Sequence, residues 1–263
     1  MASAPPASSV GSWRVPRHAW TVLPRETLKA SRLKLERTRP LPPPDMALDP
    51  GPLREIPVQP TGLTVYFRQV WLPSDGSAPD PFFVRQEGRW PTDWTLYTAT
   101  SPEVAWAEYC RNHPGDVADA DITGGVGLDP AGLTALGPLA LEGVPARALY
   151  ELDFAFDRLA DLTSAWASQL LMRAGFDTAS FTADPPGYGD CPELASLAAA
   201  LGWQAILVPS AAWQWPDGLC VPVFEAGRPA LVDDRRVVAA ARPSVAVAVA
   251  TTYADALRPR WLA

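Results

Sequence analysis

From Leu63 onward the spacing of apolar residues switches between a period of two and a period near 3.6, and each switch predicts an element. LTVYFRQV (63–70) has the strand period, with Val65, Phe67 and Gln69 on one side and Tyr66, Arg68 and Val70 on the other. Arg68 therefore shares a face with apolar side chains, which requires a buried anionic partner or a strand end that opens into a cleft. The turn-rich SDGSAPDP and then FFVRQEGRW lead into RWPTDWTLYTATSPEVAWAE (89–108). There Trp94, Leu96 and Thr98 alternate with Thr95, Tyr97 and Ala99 as a second strand. Ser101-Pro102-Glu103 then supplies an N-cap, a proline at the first helical position and an acid in the first turn. The helix that follows carries Val104 and Glu108 one turn apart on one face, so a carboxylate stands where the periodicity expects core.

Downstream, RALYELDFAF (147–156) alternates as a strand, and Thr163-Ser164-Ala165 caps a helix expected to turn Trp166, Leu170 and Leu171 inward and to end at Gly175. DPPGYGD (184–190) reads as a rigid turn, and Pro192 to Gly202 as a helix packed through Leu194, Leu197 and Leu201. The apolar run QAILVPS (204–210) predicts a buried strand ending at a serine. LCVPVF (219–224) is a further strand, with Pro222 suggesting an edge or a bulge. The remainder adds one strand and one helix, and SVAVAVAT (244–251) is a buried strand or a helix segment, too short to span a bilayer. Strands and helices mix without a βαβ rhythm, so the fold class is α+β.

Residues 1–60 read as an extension to a domain at 61–263. MASAPPASSVG is small and polar, Arg25 to Arg37 suggests a short basic helix, Pro40 to Pro60 is expected to break regular structure, and PLPPPD reads as a polyproline-type connector. In the loop from Asp116 to Gly132, GGVG neither follows a clear strand nor opens a helix, so it carries little weight as a phosphate cradle.

Composition narrows the function. The 263 residues are 48% hydrophobic, enough for a sizeable core, and the 30 prolines imply many turns. Net charge is −7, but residues 1–39 hold eight basic residues against two acidic ones, which leaves the rest at −13. An acidic body with no basic stripe argues against nucleic acid as the main partner. The three cysteines have no CxxC spacing and fit a reducing compartment, and no segment has the character of a secretory signal or a membrane span. A cytoplasmic location is expected. With only His18 and His113 available, Ser-His-Asp catalysis and a zinc site are both poor fits. His113, at a helix C-terminus, is explained by the helix dipole.

Five motifs, in order, resemble the pattern of the RES-domain family, named for an arginine, a glutamate and a serine. They are Tyr66-Phe67-Arg68, Gly88-Arg89-Trp90-Pro91, Leu96-Tyr97-Thr98-Ala99, Ala105-Trp106-Ala107-Glu108 and Val208-Pro209-Ser210-Ala211, and the resemblance covers about residues 63–225. It implies a compact α+β core related to the ADP-ribosyltransferases. It also implies a toxin that consumes NAD by phosphorolysis or hydrolysis of the nicotinamide–ribose bond, with an antitoxin protein as partner. NAD is then substrate rather than resident cofactor, and phosphate a possible co-substrate.

Carried over by position, Arg89, Tyr97 and Glu108 become catalytic candidates, and Arg68, Ser210 and Trp90 substrate-binding ones. An arginine fork binds phosphate oxygens bidentately, and a carboxylate stabilises an oxocarbenium-like ribose. Tyr97 would stack on nicotinamide or orient it, and Ser210 would donate to a phosphate or to the carboxamide. Nicotinamide leaves as a neutral ring, so no histidine acid is needed. Pro91 stands where the family has asparagine, one residue is inserted between Tyr66 and Arg68, and the loop from Arg89 to Tyr97 is short. A catalytically dead nucleotide- or protein-binding module, and ADP-ribosyl transfer to a macromolecule, stay open as alternatives.

Overall fold

Eight strands set the frame: β1 Val58–Gln59, β2 Thr64–Trp71, β3 Thr95–Ala99, β4 Arg147–Phe154, β5 Leu159–Asp161, β6 Ala205–Pro209, β7 Leu219–Phe224 and β8 Leu231–Ala241. The computed structural model describes residues 50–75, 77–82, 88–118, 139–183, 188–213, 215 and 217–252. The described residues all belong to one compact unit, Ala47–Ala263. The Arg25–Arg37 segment, GGVG and the first part of DPPGYGD lie outside the described residues.

Among the described residues the strands make a mixed sheet in the order β1-β5-β6-β7-β3-β2-β4-β8. The β5–β6 pair is parallel and the other neighbours are antiparallel. Helices α1 Pro102–Asn112, α2 Pro114–Ala118, α3 Ala165–Arg173, α4 Cys191–Ala200 and α5 Val245–Thr252 complete an α+β fold.

One junction in this sheet matters more than the rest. β2 pairs with β4 along its whole length, from Thr64↔Phe154 to Trp71↔Arg147, and β3 pairs fully with β7, from Thr95↔Phe224 to Ala99↔Cys220. Between β2 and β3 the register holds at Phe67↔Ala99 alone. Past that pair the two halves of the sheet part, and strand edges that would normally satisfy each other face an opening.

The helices sit where their caps predict. Ser101 accepts the Val104 N–H at 3.3 Å to start α1, and Ser164 accepts the Ala167 N–H at 3.1 Å to start α3. α1 buries Val104, Ala107, Tyr109 and Cys110 together with Val247 and Ala248 of α5, so SVAVAVAT is a helix packed on α1. On another part of the sheet Ala167, Leu170 and Leu171 of α3 and Leu194, Ala195 and Ala198 of α4 form a second core. Leu53 and Ile56, upstream of β1, are buried in it too. A third core holds Tyr66, Val70, Leu96, Leu152 and Phe154.

Two expectations change. Trp166 is 51% exposed, because Ala167, Leu170, Leu171 and Ala174 already occupy the inward stripe of α3 and position 166 falls off it. Pro222 lies in an interior strand, opposite Tyr97. One missing donor is tolerated because Val221 and Val223 pair with β3 and Val223 and Cys220 pair with β6 around it. Leu170 has no exposed surface, and Leu170→Ala is expected to destabilise the body by about 2–5 kcal/mol. A lower urea midpoint with an unchanged slope checks this.

Candidate active site

A cleft of about 380 Å³ lies where β2 and β3 part. β2 lines it with Phe67 to Trp71, β3 with Tyr97 to Ala99, and α1 with Ala105, Glu108, Tyr109 and Asn112. Arg89, Trp90, Arg147, Tyr188 and Cys220 complete much of the wall. Motifs as far apart in the sequence as those of Arg68 and Ala211 thus meet around one opening.

Arg68 bridges the split itself. Its Nη1 donates at 2.8 Å to the carbonyl of Tyr97, on the facing strand. Burial lowers its pKa to about 10, with Asp80 opposing that shift and Arg147 adding to it, so the guanidinium is still charged at neutral pH.

Arg89 is aimed by main chain. Its Nη1 donates to the Ser180 carbonyl at 2.7 Å and its Nη2 to the Ala183 carbonyl at 2.8 Å, while the guanidinium lies 4.8 Å from the centre of the Tyr188 ring. The loop that carries it is tied to β3 by the Tyr97 hydroxyl, which accepts the Trp90 N–H at 2.8 Å. Gly88 makes this possible. It has φ 146, and a Cβ there would come within 2.5 Å of the Tyr97 hydroxyl oxygen. Burial pushes the Tyr97 phenol well up, so it stays protonated, accepting from Trp90 with its own proton still to give.

Glu108 is held through one oxygen. Oε1 accepts from Ser210 Oγ at 2.6 Å, from the Ala211 N–H at 3.1 Å and from the Ala212 N–H at 3.3 Å, and the Cys220 thiol donates to it at 3.5 Å. Among the described residues Oε2 accepts no hydrogen bond, and the side chain lines the cleft. The strand end at Pro209 explains the geometry: as β6 stops, the next N–H groups turn towards α1 instead of into the ladder. Burial, and next the Glu108 carboxylate, hold the Cys220 thiol well above its ordinary pKa, so it remains a donor.

Not every candidate faces the cleft with its side chain. Ser210 is buried, does not line the cavity, and reaches it through Glu108; its Oγ also accepts from the Ala212 and Trp213 N–H groups, at 3.1 Å each. The Trp90 indole is 2% exposed and lies edge-on to Phe181 at 5.1 Å, in the core under the arginine loop.

The cleft also contains residues that periodicity did not flag. Arg147 opens β4, and in RALYELDFAF it passes for an ordinary strand boundary. His113 lines the cavity as well, with Nδ1 3.1 Å from the Tyr109 carbonyl. The Tyr109 hydroxyl donates to Asp116 at 2.7 Å. Among the described residues no group of three or more His, Cys, Asp and Glu could hold a metal ion, and no helix is long and apolar enough to cross a membrane.

The family model described as RES domain matches residues 67–248, a span that contains Arg68, Arg89, Tyr97, Glu108 and Ser210. The chain belongs to the RES domain family. This RES domain is also similar to a chain in a solved structure, the M. tuberculosis MbcT–MbcA toxin–antitoxin complex. The TM-score is 0.46 at 18% identity, over 73% of this chain and 95% of that one. Among curated proteins there is no match. The RES domain boundaries enclose β3 to β8 and all but the first residues of β2, so both walls of the cleft lie within the family unit.

Proposed function

We propose that this RES domain splits NAD at the bond between nicotinamide and ribose, with phosphate or water as acceptor. One observation carries the reading: a carboxylate fixed through a single oxygen, Glu108, shares a cleft with the guanidiniums of Arg68 and Arg89. Guanidiniums suit the pyrophosphate, and the carboxylate suits the positive charge that develops on the ribose as the bond stretches. The C1′–N bond breaks with its electron pair going to the nicotinamide ring, which leaves neutral. An oxygen of water or orthophosphate then bonds to C1′. The products are ADP-ribose and a proton with water, or ADP-ribose 1″-phosphate with orthophosphate.

In this scheme Glu108 stabilises the oxocarbenium-like ribose, Tyr97 keeps its proton and offers it to the substrate as a hydrogen bond, and Ser210 keeps Glu108 oriented. An antitoxin protein covering the cleft, as the family resemblance implies, belongs to the same reading. The test is nicotinamide release from NAD by purified protein, with and without orthophosphate. Release that depends on Glu108 supports the reaction, and no release with either acceptor rules it out. Label from NAD retained on protein or nucleic acid would instead indicate transfer to a macromolecule.

A second reading, a binding module without turnover, is favoured by Arg89, because two of its donors are spent on the Ser180 and Ala183 carbonyls. It expects ADP-ribose binding by calorimetry, lost in Arg89→Ala, with no nicotinamide released.

A further inference from the structure

Three arginines and one glutamate line the cleft among the described residues, in a chain whose net charge is −7. Two of those arginines, Arg68 and Arg89, belong to the family motifs. The third, Arg147, does not, and it is the most deeply buried of the three, at 4% exposure. It stands at the start of β4, directly opposite Trp71 of β2.

Two aromatic rings and a glutamine hold its head group. The guanidinium carbon lies 4.5 Å from the centre of the Trp71 ring and 4.7 Å from that of Tyr109, and Nε donates to Gln69 Oε1. Two aromatic rings pack on the planar guanidinium, and the Nε bond restricts its rotation. A long side chain that normally loses much rotamer freedom on binding is here already ordered. Arg147 approaches the cleft from the β2–β4 side, whereas Arg89 is tied to β3 through Trp90 and Tyr97. The two guanidiniums therefore belong to opposite walls. Arg147 also sits close enough to Arg68 for their charges to repel. Like charges on one cavity wall relax when an anion enters between them.

We propose that Arg147 is a phosphate-binding residue, anchoring a phosphate group on the β2–β4 wall apart from the one that Arg89 takes. The inference deepens the NAD reading and rests on it for the identity of the nucleotide. Phosphate chemistry of this kind has two sources: the nucleotide's own pyrophosphate, or orthophosphate entering as the acceptor. In the second case Arg147 decides between phosphorolysis and hydrolysis.

Calorimetric titration of the full chain with orthophosphate, and separately with ADP-ribose, tests it against Arg147→Lys, Arg147→Gln and Gln69→Glu. The lysine keeps charge but loses the flat fork, and Gln69→Glu places a carboxylate on Nε and neutralises the group without emptying its site. Binding weaker by about 10- to 100-fold in the variants is expected. A loss confined to orthophosphate identifies an acceptor site, and a loss for ADP-ribose identifies the pyrophosphate. Unchanged binding in folded variants, or no binding of either probe by the wild type, overturns the proposal. If Arg147→Gln fails to fold, Gln69→Glu decides. The readout needs no turnover, so Arg147-dependent phosphate binding without nicotinamide release would discard the reaction and leave this site standing.

Discussion

Glu108→Gln is expected to slow nicotinamide release by about 10²–10³-fold, with ADP-ribose binding nearly unchanged. The substitution keeps shape and hydrogen-bond capacity on one atom: the amide oxygen can take the place of Oε1 and go on accepting from Ser210 Oγ, Ala211 N–H and Ala212 N–H. What it removes is the negative charge. A ground-state ligand with an intact ribose has little use for that charge, whereas a ribose losing nicotinamide develops positive charge beside it. The effect should therefore fall on kcat, with KM close to the wild-type value.

Ser210→Ala should act through the same carboxylate. It leaves Oε1 with the two N–H donors and the weak Cys220 thiol, so the Glu108 side chain loses its shortest tether, at 2.6 Å. Combining it with Glu108→Gln should add almost nothing to the rate loss, because the two residues act as one unit. A Glu108→Gln protein that releases nicotinamide at the wild-type rate would remove the carboxylate from the mechanism.

Gly88→Ala is the other change with a large expected effect, and it works on geometry alone. The residue adopts φ 146, and the new Cβ would meet the Tyr97 hydroxyl oxygen at 2.5 Å and its Cζ at 2.9 Å. Tyr97 lies on an interior strand paired with β7 and cannot retreat easily, so the arginine loop must move. The Trp90 N–H to Tyr97 bond then breaks, and Arg89 shifts away from the Ser180 and Ala183 carbonyls that aim it. A displacement on the order of 1 Å is enough to cost about 100-fold in rate.

The sharper form of this prediction is a double mutant. Tyr97→Phe removes the closest atom in the clash and also the acceptor of the latch. Gly88→Ala added to Tyr97→Phe should therefore cost less than Gly88→Ala alone, with nicotinamide release and ADP-ribose affinity both measured. Strictly additive losses would show that the hydroxyl is not what holds the loop.

Much of this fold is local, and local features can be read. Ser101 and Ser164 cap helices because a serine oxygen next to a free N–H is a short-range arrangement. The alternation in 64–71 and 95–99 marks strands for the same kind of reason. Trp166 went the other way: a large aromatic side chain suggests burial, but Ala167, Leu170 and Leu171 fill the inward stripe, and the stripe is decided by what packs on it. Pro222 likewise suggested an edge, because the chain does not disclose that strands on both sides can span a single missing donor.

The site divides along the same line. Residue order alone brought forward Arg68, Arg89, Tyr97, Glu108 and Ser210, because motifs at fixed positions on strands and helices survive in a linear text. It determined the elements that carry them and the α+β class. The tertiary structure decided how they are arranged. β2 and β3 separate after a single pair, and that opening turns a strand arginine into a bridge and a strand tyrosine into a latch. Ser210 became a support for Glu108 because β6 ends against α1. Arg147 entered the site because β4 runs beside β2 and places it between Trp71 and Tyr109. Contacts between residues dozens of positions apart depend on which strands pair and where they stop pairing, and no period in the chain encodes that.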